Sequence, residues 1–529
     1  MCVLSVSDGA ALAAQQDHSG GQKNLEAQHD ALGFGRCADE TDGRTRHGVE
    51  LALEKFILSF IRANHANGYG GGEVFAHGTE STPASPPLAR RPHRGTRRRG
   101  NEMICSKRVL IVGAGAREHA LGAALASGGH EVVTAPGNAG TALVGRNASV
   151  RLDDTRGLVE LAERERAELV VVGPEGPLAL GLVDALEERG IRAFGPTRAA
   201  ARLETSKAFM KHFCSRYDIP TAPFAVFDDP DQAERHVRAN GPLVVKADGL
   251  AAGKGVVVAS TVDEACSAID RIMRKREFGQ AGATVVLEER LEGEEASFHV
   301  VSDGARAIAL VSAQDHKRLC DGDQGPNTGG MGACAPARVV TPDVHESVLH
   351  SIVEPTLAGM ASEGTPFRGA LFVGLMIEDG RARVLEYNVR FGDPEAVVIA
   401  PLYEGDWFEL LAGAASGDIS GVRGGNSKES ALAVVMASAG YPGHPRVGET
   451  ILGLDAAMPS GVFIRHAGTV AGTDGSVQTA GGRVLAVGAK RPTLAAAAEA
   501  AYAAVGTIRW AGEQHRSDIG WRALAPGRP

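Results

Sequence analysis

The sequence of 529 residues has few cysteines, few aromatic residues and no excess of positive charge. Its seven cysteines are scattered without a CxxC pair, which argues against a disulfide scaffold or a zinc site and favours free thiols in a reducing compartment. The net charge of −9 argues against a nucleic-acid partner. No apolar run reaches the roughly 18 residues of a membrane span, and no signal-peptide pattern opens the chain. We therefore expect a cytoplasmic protein without a membrane partner.

Residues 1–102 differ in composition from the rest of the chain. One stretch with helical periodicity, 49–63, is followed by a glycine run and by the arginine-rich segment 90–99. Such a segment cannot bury enough apolar surface to offset the entropy lost on ordering. We expect a disordered extension, or a start codon placed too far upstream with Met103 as the natural first residue. Binding of the arginines to an anionic surface or partner is the alternative.

After Lys107 the pattern predicts three folded domains. Apolar runs at 108–112, 131–134 and 169–172 alternate with helical patterns, which predicts a doubly wound parallel sheet within 103–204. Residues 205–421 have an α+β pattern with glycine-rich loops, and residues 422–529 predict a small α/β domain that contains a helix at 494–505. The predicted fold class is α/β and α+β multidomain.

Glycine-rich loops follow three strands of the predicted parallel sheet. They are Gly113-x-Gly115-x-x-Glu118, Pro136–Thr141 and Gly173–Gly176. Because the carboxyl ends of parallel strands share one edge, these loops predict a crevice for an anionic ligand such as a small phosphorylated sugar. Glu118 in place of a third glycine argues against a dinucleotide site. A tight turn that serves only packing is the alternative for the first loop.

Another glycine-rich segment, Gly249–Gly255, lies between two strands instead of before a helix. Its Gly253-Lys254-Gly255 departs from the Walker spacing, so the pattern predicts a hairpin that folds over a triphosphate. Lys246, on the strand before it, would add positive charge. A lysine that reaches from the strand to the surface is the alternative.

The strand predicted at 285–291 ends in acidic residues. Its backbone could pair with an adenine edge, and Glu295 or a neighbour could hold ribose hydroxyls. A solvated acidic turn explains these glutamates equally well.

The segment Arg383–Arg390 carries the strongest chemical pattern. Alternate residues of a strand point to one face, so Glu386, Asn388 and Arg390 are predicted to lie together, with Leu385 and its alternate neighbours opposite. A carboxylate with an amide oxygen suits Mg²⁺. An arginine beside them could pair with a phosphate or a substrate carboxylate.

Two polar loops complete the candidate site. Asp315, in the run Gln314–Arg318, could bind a substrate ammonium group, and the glycine-rich segment 325–332 follows it. His316 suggests a general base. A reaction that activates a carboxylate with ATP needs no protein nucleophile, however, so we interpret His316 as structural or positioning.

In their order, these motifs resemble the phosphoribosylamine–glycine ligase family of the ATP-grasp superfamily. The resemblance covers about Lys107 to Leu524 and rests on the loops above, on Lys246–Gly255, and on three further motifs: Asn327–Gly332, Arg390–Glu395 and Asp518–Trp521. It implies an ATP-grasp core with a mobile lid at about 224–294, a phosphoribosylamine-binding domain at 103–204, and a small C-terminal domain. It also implies ATP-dependent ligation of glycine to 5-phosphoribosylamine in purine synthesis, by a monomer or homodimer.

The resemblance assigns roles to individual residues. It implies three catalytic residues (Arg390, Asp315, Lys246) and a site for Mg²⁺ or Mn²⁺ (Glu386, Asn388). It implies ATP-binding residues at Lys207, Lys246, Gly253, Lys254, Gly255, Glu288, Glu289, Leu291 and Glu295. It implies substrate-binding residues at Gly115, Asn138, Gly140, Asp315, Arg390, Gly392 and Asp393.

The chain departs from the family pattern at Ala396-Val397, where Thr-Gln or similar is usual, and this puts details of substrate contact in doubt. Residues 1–102 match nothing in the family. Three alternatives are another ATP-grasp carboxylate–amine ligase, a nucleotide-binding regulatory module and, least favoured, a dehydrogenase.

Overall fold

The computed structural model describes residues 106–251 and 254–525, together with the backbone of two short strands. These strands, β1 (Thr96–Arg99) and β2 (Glu102–Cys105), pair antiparallel, which differs from the expectation of disorder for 96–99. The helical pattern at 49–63 and Gly253 lie outside the described residues. The chain divides into two units, Met1–Arg90 and Arg91–Pro529, and the second contains all the strands and helices of the described residues.

The first domain contains the predicted parallel sheet. Its five strands are all parallel in the order β5-β4-β3-β6-β7, and β3 and β6 are buried along almost their whole length because helices cover both faces. The strands are β3 (Arg108–Gly113), β4 (Glu131–Pro136), β5 (Arg146–Asn147), β6 (Leu169–Val172) and β7 (Ala193–Phe194). The helices are α1 (Ala116–Ser127), α2 (Thr141–Val144), α3 (Thr155–Glu165), α4 (Glu175–Ala179) and α5 (Leu182–Glu187).

The central region consists of two antiparallel four-stranded sheets, in the orders β10-β9-β11-β8 and β13-β12-β18-β19. The strands are β8 (Phe224–Phe227), β9 (Val244–Ala247), β10 (Val256–Val258), β11 (Val285–Glu288), β12 (Glu294–Asp303), β13 (Ala307–Ala309), β18 (Arg368–Glu378) and β19 (Arg381–Asn388). The helices are α6 (Arg202–Thr205), α7 (Lys207–Arg216), α8 (Pro230–Asn240), α9 (Val262–Ile269), α10 (Pro342–Val348), α11 (Glu354–Ser362), α12 (Glu395–Ile399) and α13 (Trp407–Ser416). The predicted hairpin is confirmed, because β9 and β10 pair with Val256 opposite Lys246.

A third sheet crosses the predicted boundary at 421/422. Its order is β14-β17-β20-β24-β21, so two strands from the central segment join the sheet, and one of them, β17, pairs with the C-terminal strand β20. The strands are β14 (Gln314–Asp315), β17 (Gly332–Ala335), β20 (Ser430–Ala437), β21 (Val462–His466) and β24 (Arg483–Arg491). Long-range pairing of this kind leaves no mark in local sequence patterns.

Two small ladders and two helices complete the fold. They are β15 (Arg318–Cys320) with β16 (Gln324–Asn327), β22 (Thr469–Ala471) with β23 (Val477–Thr479), α14 (Leu494–Val505) and α15 (Trp521–Leu524). Helix α14 has the predicted bounds, and its small apolar face packs against β20 and β24. Within the residues described, no helix combines the length and the apolar character needed to cross a membrane.

Candidate functional site

The strand β19 lies at the centre of the candidate site, and it contains a bulge. Gly374 of β18 pairs with Glu386 while Leu375 pairs with Val384, so Leu385 is the extra residue. Leu385 consequently lines a small cleft with Asp315, which differs from the predicted alternation. Beyond the bulge the period-2 pattern holds, and Glu386 and Asn388 lie on one face.

The Glu386 carboxylate is surrounded by positive charge. Burial tends to raise its pKa, but Lys317, Lys207, Lys246 and Arg390 together lower the pKa below its ordinary value. Among the described residues, no side chain makes a direct hydrogen bond or ion pair with this carboxylate. An ionised carboxylate without a partner is the donor a divalent cation requires.

Asn388 supplies the second candidate ligand. Its side chain is buried, and its Nδ2 has no hydrogen-bond partner in the part of the chain that the structure describes. No group of three or more His, Cys, Asp or Glu side chains suited to a metal occurs in that part either. Two protein ligands fit Mg²⁺ or Mn²⁺, because such a site takes its remaining ligands from phosphate oxygens and water.

The side chain of Lys246, on strand β9 of the hairpin, is held by two contacts. Its Nζ donates to Glu288 Oε2 at 2.9 Å and to the Leu385 carbonyl at 3.1 Å. It is 6% exposed, so the alternative of a lysine that reaches the surface is wrong. The same Glu288 oxygen lies 3.0 Å from Nζ of Lys211, a buried lysine without a predicted role.

Two further residues that are predicted to bind ATP lie at the glycine-rich loop of the hairpin. Lys207 Nζ is 3.4 Å from the Gly249 carbonyl, and Lys254 is exposed at the hairpin tip. Strand β11 ends at Glu288, earlier than predicted, and the Glu289 amide bonds to the Pro223 carbonyl. Gly255 directly precedes strand β10, and Leu291 follows the end of strand β11.

Glu295 is engaged by Lys317, a lysine that the sequence marks only as part of a polar loop. Lys317 Nζ lies 2.8 Å from Glu295 Oε2, and Glu295, Glu386 and Asp315 together raise the pKa of Lys317. The Glu295 side chain is still 48% exposed, so the acidic turn and the ribose contact both stay predictions. The position of Lys317 two residues after Asp315 was the available signal.

Asp315 lies at the end of the cleft with one oxygen unpaired. Its Oδ1 is buried and has no hydrogen-bond partner among the described residues. Burial, followed by the nearby Glu395 carboxylate, raises the pKa of Asp315 well above its usual value, although Lys317 and Arg483 oppose this. A carboxyl group of this kind favours a ligand that brings a positive charge.

Arg390 is bound by two glutamates. Its Nε lies 3.2 Å from Glu175 Oε2 and its Nη2 lies 3.0 Å from Glu204 Oε1. Glu204 also accepts a hydrogen bond from the Val389 amide at 2.7 Å. Contact between Arg390 and a substrate anion would use the N–H groups that remain.

The segment 390–395 is anchored from the C-terminal domain by Arg483, which sequence reasoning missed. Arg483 donates to the Asp393 carbonyl at 2.6 Å and to the Gly329 carbonyl, and its Nη2 lies 3.4 Å from Asp393 Oδ1. Gly392 packs against Glu395, since an added Cβ would lie 2.3 Å from Oε2. Arg483 thus contacts both the 325–332 loop and the 390–395 segment, and no local motif marked it.

The sugar-phosphate crevice differs in detail from the prediction. Glu118 Oε2 accepts a hydrogen bond from the Gly115 amide at 2.6 Å, so a carboxylate of the chain occupies the start of α1. A Cβ at Gly113 or Gly173 would lie within 2.3 Å of Glu118 atoms. In the described state this geometry supports the packing-turn alternative for the first loop.

Asn138 joins the crevice to the C-terminal domain. Its Nδ2 donates to the Ala114 and His466 carbonyls, and its Oδ1 accepts from the Gly140 and Thr141 amides, all within 2.9 Å. The amide group is therefore fully used inside the protein. For a ligand, Asn138 and Gly140 therefore provide the backbone of their loop and the shape of its surface.

His316 has a structural role. Its Nε2 accepts a hydrogen bond from the Gly520 amide at 3.0 Å, and burial, followed by Arg516 and Arg522, lowers its pKa to about 4. The Asp518–Trp521 motif thus fastens the strand that carries Asp315.

Replacing His316 by alanine is expected to leave the Gly520 amide buried without an acceptor. The free energy of unfolding should fall by about 1–3 kcal/mol. The pH dependence of turnover between pH 6 and 8 should stay unchanged, because the histidine exchanges no proton with substrate. Urea unfolding and a pH–rate profile measure both, and loss of the acid limb from the profile would contradict the structural role.

The departure at Ala396-Val397 is filled by apolar packing. Both side chains are buried in the cluster that contains Ala116, Ala120 and Phe391. Apolar neighbours therefore surround the position where the family pattern has a polar side chain.

Comparisons with known proteins agree along the folded part of the chain. Three family profiles match consecutive regions: Phosphoribosylglycinamide synthetase N domain over 107–204, ATP-grasp (A) domain over 205–396 and C domain over 431–522. The phosphoribosylamine–glycine ligase of Xanthomonas campestris is 49% identical over 427 residues, which is 80% of this chain and 99% of that protein. Its counterpart from Xylella fastidiosa is 50% identical over 423 residues, which is 79% of this chain and 97% of that protein.

Solved structures give the same picture of the fold. A crystal structure of phosphoribosylamine–glycine ligase from Thermotoga maritima superposes with a TM-score of 0.68 at 35% identity, covering 78% of this chain and all of that one. The biotin carboxylase domain of the Hydrogenobacter thermophilus 2-oxoglutarate carboxylase superposes with a TM-score of 0.61 at 19% identity, covering 77% of this chain and 91% of that one, which is a likeness of fold alone.

Proposed function

The chain belongs to the phosphoribosylglycinamide synthetase family, and we propose that it joins glycine to 5-phospho-D-ribosylamine to give glycinamide ribonucleotide, with ATP converted to ADP and phosphate. This reaction belongs to purine synthesis. The observation that carries the proposal is the gathering of three lysines around Glu386, which shares a strand face with Asn388, next to the small cleft that Lys317 and Asp315 line.

The proposed reaction has two steps. A carboxylate oxygen of glycine attacks the γ-phosphorus of ATP, the bond to the β-phosphate oxygen breaks, and glycyl phosphate and ADP form. The amine of phosphoribosylamine then attacks the acyl carbon, the bond to the phosphate oxygen breaks, and the amine loses one proton. Because both leaving groups are phosphates, positive charge is the main requirement.

The residues divide the work by charge. Lys207, Lys246 and Lys317 would bind phosphate oxygens, and the hairpin with Lys254 would close over them. Asp315 would bind the ammonium group of glycine. A divalent cation, Mg²⁺ or Mn²⁺, held by Glu386 and Asn388 would neutralise charge on the β- and γ-phosphates. Arg390, Gly392 and Asp393 would form the wall between glycine and the sugar crevice near Gly115 and Gly140.

An ADP-release assay tests this proposal, with a panel of amino acids and with phosphoribosylamine generated in situ. Turnover should require glycine and the amine together. Turnover with other acids or amines alone would favour another ATP-grasp ligase. Binding of ATP without any turnover would favour a regulatory module. We place the enzyme in the cytoplasm, acting on small molecules as a monomer or homodimer.

The affinity for glycine is expected to increase as pH rises. Asp315 must be ionised to bind an ammonium group, and its raised pKa keeps it protonated at the acid end. The KM for glycine should therefore fall as pH rises, with little change in the KM for ATP. Asp315→Asn should raise the glycine KM most at high pH, approach the wild-type KM at the acid end, and so remove this slope. A slope that persists in that variant would contradict the assignment.

A further inference from the structure

The buried cluster of Lys211, Glu288 and Lys246 has an unusual charge balance. Both ammonium groups contact the same oxygen, Glu288 Oε2, at 3.0 and 2.9 Å. The other oxygen, Oε1, is buried and has no hydrogen-bond partner among the described residues. Two positive charges therefore share one carboxylate, and a further carboxylate whose charge interacts with that of Lys246 is Glu386 of the candidate site.

Lys211 itself lies behind the site. It is fully buried on α7, four residues after Lys207, and its Nζ donates to Thr221 Oγ1 at 2.7 Å. The Thr221 hydroxyl donates in turn to the Val384 carbonyl of β19 at 2.7 Å. Lys211 therefore connects the helix that carries Lys207 with the strands that carry Glu288 and Glu386, and it does so without reaching the cleft.

Burying an ammonium group costs free energy unless the group is paired and hydrogen-bonded, and one lysine would suffice to pair with Glu288. A one-to-one pair would neutralise Lys246 and draw its N–H groups toward the carboxylate. A second ammonium group on the same oxygen weakens that hold. Lys246 then keeps hydrogen-bonding capacity for an anion, and its charge is compensated less completely than in a one-to-one pair.

We propose that Lys211 is a positioning residue for ATP, which shares Glu288 with Lys246 and thereby leaves the Lys246 ammonium group free to bind the nucleotide phosphates. Glu288, which the sequence predicts to contact ATP, then serves as the shared counterion of the two lysines. The inference rests on the proposed function for its substrate, but its readout is nucleotide binding, which any ATP-grasp ligase shares.

The first test is Lys211→Met, which keeps the length of the side chain and removes its charge. The KM for ATP, and the dissociation constant of a non-hydrolysable ATP analogue, should rise about tenfold. The kcat and the KM for glycine should change less than about twofold, because uniform binding is lost rather than transition-state contact. Lys211→Arg, which keeps the charge, should recover most of the affinity. A folded Lys211→Met protein with wild-type ATP affinity, or with a loss confined to kcat, would overturn the proposal.

A second test changes the shared counterion. In that background Lys211→Met is expected to increase the ATP affinity instead of lowering it. Glu288→Gln leaves two buried ammonium groups without a counterion, so its ATP affinity and its melting temperature should fall. Adding Lys211→Met to Glu288→Gln should then raise both above those of the single Glu288→Gln variant, since one ammonium group remains. A double variant whose losses of ATP affinity and melting temperature equal the sum of those of the two single variants would overturn the proposal.

A protein whose wild type binds the analogue and shows this pattern, but does not ligate glycine to phosphoribosylamine, would refute the proposed function alone. If Lys211→Met does not fold, the pair Lys211→Arg and Thr221→Val replaces it. Thr221→Val removes the hydroxyl that orients Lys211 and that also donates to the Val384 carbonyl, so the analogue should bind severalfold more weakly to it than to Lys211→Arg. Equal affinity of the two would overturn the proposal.

Discussion

Replacing Glu386 by alanine is expected to reduce ADP and phosphate release by about 10²–10³-fold or more, with little effect on folding. The carboxylate lies within the electrostatic influence of three lysines and Arg390, which together lower its pKa, and it is the stronger of the two proposed metal ligands. Its loss would remove the charge that holds a divalent cation against the phosphates. No described side chain would lose a hydrogen bond, so the melting temperature should change by only a few degrees.

The measurement is steady-state ADP release at several Mg²⁺ and Mn²⁺ concentrations. Glu378→Ala is the matched control, because Glu378 lies on the neighbouring strand β18 and pairs with Arg383 at 2.9 Å outside the cleft. That variant should keep wild-type turnover and wild-type metal dependence. Full activity of Glu386→Ala would show that the metal lies elsewhere.

Acidification from pH 7.5 to 5.5 is expected to lower the free energy of unfolding by several kcal/mol. Burial is the main reason that four histidines have lowered pKa values: His119 to about 2, His299 to about 3, and His316 and His466 to about 4. In the unfolded chain each returns to about 6.5. The unfolded state therefore binds more protons below pH 6.5, and stability is lost as the pH falls toward the folded values.

The hydrogen bonds of these histidines independently predict that the free energy of unfolding falls as the pH falls. His119 Nδ1, His299 Nε2 and His316 Nε2 each accept a backbone N–H, from His466, Gly392 and Gly520 respectively. Protonation of an accepting nitrogen would break the bond and place a charge in the interior. Each histidine can add about 1.4 kcal/mol per pH unit to the slope.

Urea unfolding at pH 7.5, 6.5 and 5.5 measures this slope. His316→Asn should flatten it by about one proton. The exposed His350, whose pKa is raised by Glu354, provides the control, and His350→Gln should leave the loss on acidification intact. A stability that does not change over this range would contradict the assignment of neutral buried histidines.

Local patterns were sufficient for elements whose residues are close in sequence. The period of two brought Glu386 and Asn388 to one face, and the Lys246–Gly255 hairpin followed from two strands around a glycine-rich loop. The bulge at Leu385 and the capture of the Gly115 amide by Glu118 were not predicted. Both depend on which neighbouring strand or carboxylate packs nearby, and that is a property of the folded chain.

The sequence by itself determined the parallel sheet, the hairpin at Lys246–Gly255, the order of the motifs and thereby the family. These properties depend on residues within one element or on their order along the chain. Only the tertiary structure decided that β14 and β17 join the C-terminal sheet, that Arg483 contacts the 325–332 loop and the 390–395 segment, and that Lys211 and Lys246 share Glu288. These contacts bring together segments that lie far apart in the sequence, and their energies arise from burial and charge that exist only after the elements pack.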